Sequence, residues 1–138
     1  MFISLALYIL NGDNGKIQLV CAGHDKAPLI RENGDTEWIK PSGLAIGLDD
    51  GDVFERITKV HEFQLNKGDC LLLYTDGVTE AMNPKSEEYG TERMLQSFIK
   101  ATQTDKKDIL LELTKDLKSF VSGYQQMDDI TMISIEKR

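Results

Sequence analysis

The hydrophobic period of this chain changes once along its length, and that change constrains the fold more than any other feature. Before Tyr89 the apolar residues fall in short runs separated by turn chemistry. Residues 2–10 are apolar, with β-branched and aromatic content. Asn11-Gly12-Asp13-Asn14-Gly15-Lys16 then supplies residues that tolerate positive φ, and 17–22 forms the return strand. Residues 27–31 and 36–39 flank Glu32-Asn33-Gly34-Asp35, a second hairpin signal. Residues 54–65 read as extended, with a slip in alternation between Ile57 and Val60 that predicts a bulge or a bend. Lys67-Gly68-Asp69 turns that segment into 70–75. Consecutive strands joined by short turns predict an antiparallel meander.

After Tyr89 the period becomes helical. Met94, Leu95, Phe98 and Ile99 share one face, with Thr91 placed as N-cap and Glu92 in the first turn. Ile109, Leu110, Leu113, Leu117, Phe120 and Val121 form a stronger stripe. Thr104 or Asp105 is placed to cap its start, and Gly123 stands where a C′ glycine belongs. Residues 130–136 close the chain as a strand. The sum is roughly seven strands, two helices and a last strand, hence α+β, with helices on an antiparallel sheet. At 138 residues one domain, 1–138, is expected.

Charge and cysteine content narrow the partners. Lys plus Arg is 16 against 23 Asp plus Glu, a net charge of −7. That sign predicts no nucleic-acid partner and no docking on anionic membranes. Residues 1–10 fall far short of the about 20 apolar residues that a membrane span needs, and no cation precedes them as in a signal peptide. Cys21 and Cys70 each lie within an apolar run and read as reduced, buried packing residues. A cytoplasmic location follows. His24 and His61 are too few for a histidine metal site, and Asp49-Asp50-Gly51-Asp52 lacks the EF-hand ligand order. Trp38 reads as hairpin packing, and Lys106-Lys107 as surface charge.

Two acidic positions stand apart. Asp76 falls at the end of the most hydrophobic strand, and Asp128-Asp129 immediately precede the closing one. Leu71-Leu72-Leu73 and Ile130, Met132 and Ile133 are apolar at nearly every position, as in central strands covered on both faces. If the two strands are neighbours, the carboxylates converge and repel, and a divalent cation relieves the repulsion. Oxygen-only ligation favours Mg²⁺ or Mn²⁺ over Zn²⁺. Asp-Gly is equally a turn dipeptide and Asp-Asp a strand lead-in, so spacing alone leaves both readings open.

Leu71-Leu72-Leu73-Tyr74-Thr75-Asp76-Gly77-Val78-Thr79-Glu80-Ala81, followed by Asn83-Pro84, resembles the second metal motif of bacterial metal-dependent serine phosphatases of the SpoIIE/RsbU type, within the PPM superfamily. Further segments follow in that family's order. Cys21-Ala22-Gly23-His24 with Pro28-Leu29 is similar to its Ala-Gly-His turn, and Gly43-Leu44-Ala45-Ile46-Gly47-Leu48 to its glycine-punctuated strand. Tyr89-Gly90-Thr91-Glu92-Arg93 resembles its helix entry and Asp128-Asp129-Ile130-Thr131 its closing motif. The resemblance implies an antiparallel β-sandwich flanked by helices, with a two-metal Mn²⁺ or Mg²⁺ centre at one end. By the same resemblance Asp76 and Asp128 are metal ligands and catalytic, Asp129 is a supporting metal residue, and His24 is a substrate-side candidate, with stabilisation of its turn as the other reading. The implied reaction is attack of a metal-activated water on a phosphoserine or phosphothreonine of a bacterial signalling protein, of the anti-sigma-factor antagonist type.

The family's earlier Asp-x-x-Gly-His-Gly motif, whose aspartate bridges both metals, has no counterpart here; Ala22-Gly23-His24-Asp25 matches the later turn instead. The resemblance therefore implies the C-terminal portion of a phosphatase domain, without its N-terminal strands and helices. Such a chain by itself is expected to hold metal weakly and to be weak or inactive. An incomplete sandwich also exposes apolar surface, which predicts a homodimer. The competing class is a catalytically inactive phosphatase-like fold retained as a protein-binding, regulatory module.

Overall fold

The computed structural model describes residues 1–104 and 108–138. Among the described residues seven strands form two antiparallel sheets. β1 (Leu5–Leu10), β2 (Lys16–Ala22) and β5 (His61–Gln64) make a sheet in the order β1-β2-β5. β3 (Ala27–Ile30), β4 (Thr36–Ile39), β6 (Cys70–Tyr74) and β7 (Met132–Glu136) make one in the order β4-β3-β6-β7. The helices are α1 (Asp52–Ile57), α2 (Asp76–Thr79), α3 (Gly90–Thr104) and α4 (Ile109–Val121). The chain is thus α+β, a sandwich with helices against one face. Among the described residues no helix is long and apolar enough to cross a membrane.

Local chemistry sets the first turns. The Asn11 side-chain oxygen accepts the amides of Asp13 and Asn14 at 3.0 and 3.2 Å. Gly15 then takes φ 76°, and a β-carbon there would lie 2.3 Å from the Leu65 carbonyl oxygen. Only glycine closes this corner, which seats the β1–β2 turn against the end of β5.

Strand alternation sorts the core into two layers. Ile17 and Leu19 of β2 meet Leu29, Ile39 and Leu71 between the sheets. The opposite face of the second sheet presents Ile30, Cys70, Leu72 and Tyr74 to Met94, Phe98, Ile109, Leu113 and Leu117 of the helices. β6 is therefore apolar on both sides because it is covered on both sides. Both cysteines are buried and neither forms a disulfide. The outer face of β1 is different: Leu5, Leu7 and Ile9 all stand exposed.

Several sequence expectations give way. The strands do not form a meander, because the chain crosses between sheets after β2, after β4 and again after β5. Residues 54–65 are not one bulged strand. The Asp49 carboxylate accepts the amides of Gly51, Val53 and Phe54 at 2.9, 2.8 and 3.2 Å, which starts α1 and leaves only His61–Gln64 extended. β7 is an edge strand with Ile133 exposed, so its apolar pattern does not mark a central position. Thr91 lies inside α3 rather than capping it, since the turn at φ 76° falls on Gly90. Thr104 ends α3, and Asp108 is the N-cap of α4. Asp105, Lys106 and Lys107 lie outside the described residues. Gly123 does follow the end of α4 in the left-handed region, after Ser122 at φ 48°.

Candidate metal centre

The acidic residues are placed by the β6–β7 ladder. Tyr74 pairs with Met132 at its end, and one residue on the Thr75 amide donates to the Thr131 carbonyl at 3.1 Å. The Thr75 hydroxyl donates to the Asp129 carbonyl at 3.0 Å and accepts the Thr131 amide at 3.0 Å. These bonds carry the pairing past the strand ends and hold the Asp128-Asp129 segment against the start of α2. Gly77 completes the approach. A β-carbon there would lie 2.4 Å from the Asp129 carbonyl oxygen and 3.4 Å from the Asp128 carbonyl carbon.

Asp76 and Asp128 share one local geometry. The Asp76 carboxylate accepts the Gly77 amide at 2.9 Å, and the Asp128 carboxylate accepts the Asp129 amide at 2.7 Å. Each carboxylate is thereby oriented by its own backbone while remaining exposed. The Gln126 side chain donates to the Asp128 carbonyl. Asp76, Asp128 and Asp129 therefore come to one end of the second sheet.

This corner offers oxygen donors, carboxylate and carbonyl, and neither histidine nor cysteine. That donor set fits Mg²⁺ or Mn²⁺ in kind. Among the described residues no three His, Cys, Asp or Glu side chains group as a metal cluster.

His24 is placed elsewhere along the same strand end. Its carbonyl accepts the Cys21 thiol at 3.4 Å, and it lines a cavity of about 20 Å³ with Tyr8, Asp25, Leu73 and Tyr74. A space of that size holds about one water. Burial, with Asp25 and Tyr8 adding to it, pushes the Tyr74 hydroxyl up to about 12, so it stays protonated at neutral pH. A larger cavity of about 470 Å³ opens between α3 and α4, lined by Arg93, Lys100, Lys115 and Asp116, away from the acidic corner.

Two residues carry more structure than their sequence context signals. Asp69, read as part of a turn, is buried. It accepts the Arg31 guanidinium at 2.6 Å and the amides of Asn66 and Glu32 at 2.8 and 3.1 Å. Thr75 is the other, through bonds whose partners lie more than fifty residues away.

The sequence model of the family described as Stage II sporulation protein E (SpoIIE) matches residues 1–138. The chain belongs to the SpoIIE family. It is 30% identical over 135 residues to Protein IcfG of Synechocystis sp., covering 98% of this chain and 20% of that protein. To the phosphoserine phosphatase RsbU of Bacillus subtilis it is 24% identical over 140 residues, covering 100% of this chain and 40% of that protein. It thus spans less than half the length of either relative. The manganese-presoaked phosphatase domain of the Bacillus subtilis cell fate determinant SpoIIE superposes with a TM-score of 0.70 at 20% identity, over 96% of this chain and 56% of that one. This SpoIIE-family chain accordingly shares the sandwich of the PPM phosphatases.

Proposed function

We propose that this SpoIIE-family chain contributes the Asp76/Asp128 side of a metal-dependent protein serine/threonine phosphatase site. The observation that carries the reading is the lock between Thr75, Gly77 and Asp129, which holds two acidic segments distant in sequence at one strand end. Rigid backbone under exposed carboxylates is what a cation site requires. Asp76 and Asp128 would hold Mn²⁺ or Mg²⁺, with Asp129 in support.

Bound divalent cations neutralise phosphoryl charge and acidify water in reactions of this kind. The protein's own part is positional. A phosphate ester approaching a chain of net charge −7 at two carboxylates meets repulsion that only bound cations offset. The Thr75 hydroxyl is engaged by the Asp129 carbonyl and the Thr131 amide, so the residues contribute orientation and charge placement. We assign the substrate as a phosphoserine or phosphothreonine on a bacterial signalling protein of the anti-sigma-factor antagonist type. The name of the relative RsbU, a phosphoserine phosphatase, supports that class. Cys21 and Cys70, buried and in no disulfide, support a cytoplasmic setting.

The test is Mn²⁺-dependent release of phosphate from a phosphoserine protein by the full-length protein. Asp76→Ala and Asp128→Ala each abolish turnover on this reading, and the 138-residue chain alone turns over weakly or not at all. Undiminished hydrolysis by either variant rejects the reading. The lack of a three-residue metal cluster among the described residues favours one second reading, an inactive phosphatase-like binding module. Under it the full-length protein binds its phosphoprotein partner without hydrolysing it.

A further inference from the structure

The side-chain hydrogen bonds that cross between the Asp76 and Asp128 segments both belong to Thr75. Its hydroxyl donates to the Asp129 carbonyl and accepts the Thr131 amide, each at 3.0 Å. The Asp129 carbonyl oxygen is held on its other side by the bare α-carbon of Gly77, where a β-carbon would come within 2.4 Å. Gly77 and Asp129 are also the residues whose amides orient the two carboxylates, at 2.9 Å for Asp76 and 2.7 Å for Asp128. The contacts form a chain from one carboxylate to the other: the Asp76 carboxylate to the Gly77 amide, Gly77 packed against the Asp129 carbonyl, and the Asp129 amide to the Asp128 carboxylate. Thr75 fastens that chain at the Asp129 carbonyl.

We propose that Thr75 is the positioning residue that sets how tightly the Asp76/Asp128 pair holds a divalent cation, through a hydroxyl that both donates to and accepts from the 129–131 backbone. The inference rests on the phosphatase reading for the cation itself, and on the geometry alone for the role of Thr75. A threonine suits the task twice. Its hydroxyl acts as donor and acceptor at once, and its β-branched stem stays in the extended backbone at φ −96°, ψ 157°. Groups that orient metal ligands without touching the metal typically govern affinity by about 10–100-fold.

Valine keeps the shape of threonine and removes both bonds, whereas serine keeps the bonds and loses the methyl group. In the full-length protein, Mn²⁺ alone is titrated by calorimetry, and exchange of the Thr131 amide is followed without metal. Thr75→Val is expected to weaken Mn²⁺ binding about tenfold or more and to speed Thr131 exchange, with thermal stability little changed. Thr75→Ser is expected to stay within about threefold of the parent. Equal Mn²⁺ affinity in parent and Thr75→Val overturns the positioning role while leaving the cation site standing. A parent protein that takes up no Mn²⁺ overturns the cation reading and this inference together. Should the valine protein fail to fold, the serine protein decides: retained affinity upholds the role, and a tenfold loss overturns it.

Discussion

A β-carbon on Gly77 would stand 2.4 Å from the carbonyl oxygen of Asp129, nearer than real side chains come to backbone. The contact is between two main-chain segments, so neither can yield by rotating a side chain. Gly77→Ala is therefore expected to push the Asp128-Asp129 segment away from α2, at a cost of about 1–3 kcal/mol in folding stability. Denaturant melts and Mn²⁺ titration check it together. Loss of Mn²⁺ affinity in a folded protein is the expected result, and unchanged affinity places the cation elsewhere.

The Arg31–Asp69 pair lies at the start of β6, the strand end opposite Asp76. Asp69 is sealed while the Arg31 side chain is 26% exposed, so the pair is worth less than a fully buried one. Asp69→Ala is expected to cost about 2–4 kcal/mol by leaving the Asn66 and Glu32 amides without their acceptor and the guanidinium with only the Gln64 carbonyl and Glu37. Burial pushes the Asp69 carboxyl up, but the Asn66 and Glu32 amides and the Arg31 guanidinium outweigh it, so it titrates below the ordinary range. A depressed carboxylate contributes stability in full above the unfolded value of about 3.9, and loses it as pH falls through the folded one. Urea melts at about pH 6 and about pH 3 should therefore show a smaller acid loss for Asp69→Ala than for the parent. An equal loss in both removes Asp69 as the source.

Legibility from sequence followed the range of the interactions. The β3–β4 hairpin could be read because Asn33 bonds the Asp35 amide within the turn itself, at 3.0 Å. The two-sided burial of Leu71 and Leu72 was visible in their unbroken apolar run. The short helix α1 was not, because its start depends on one Asp49 carboxylate gathering three amides inside an acidic stretch that composition cannot order. Ile133 misled for a different reason: an apolar residue looks the same in a central strand and at an exposed edge. Asp76 and Asp128 were legible as candidates from their places at strand ends. Thr75 was not, since its hydroxyl bonds reach residues 129 and 131 only once β6 and β7 have paired.

The outer face of β1 leads to a prediction about association. Leu5, Leu7 and Ile9 point away from the core, beside Val20 on the paired strand, and apolar strips of this kind are buried in stable proteins. The 138-residue chain is expected to sediment as a dimer or larger species, and Leu7→Lys to shift it toward monomer. A stable monomer at high concentration contradicts this.

The claim on which the account turns is that Asp76 and Asp128 hold the same cation, and a double-mutant cycle in Mn²⁺ affinity measures it most directly. Asp76→Asn, Asp128→Asn and the double variant of the full-length protein are titrated alongside the parent. Groups sharing one ligand are strongly coupled, so each single change should remove most of the affinity and the second should add little. Independent, additive losses would show that the two carboxylates serve separate places, and the proposed centre would not exist.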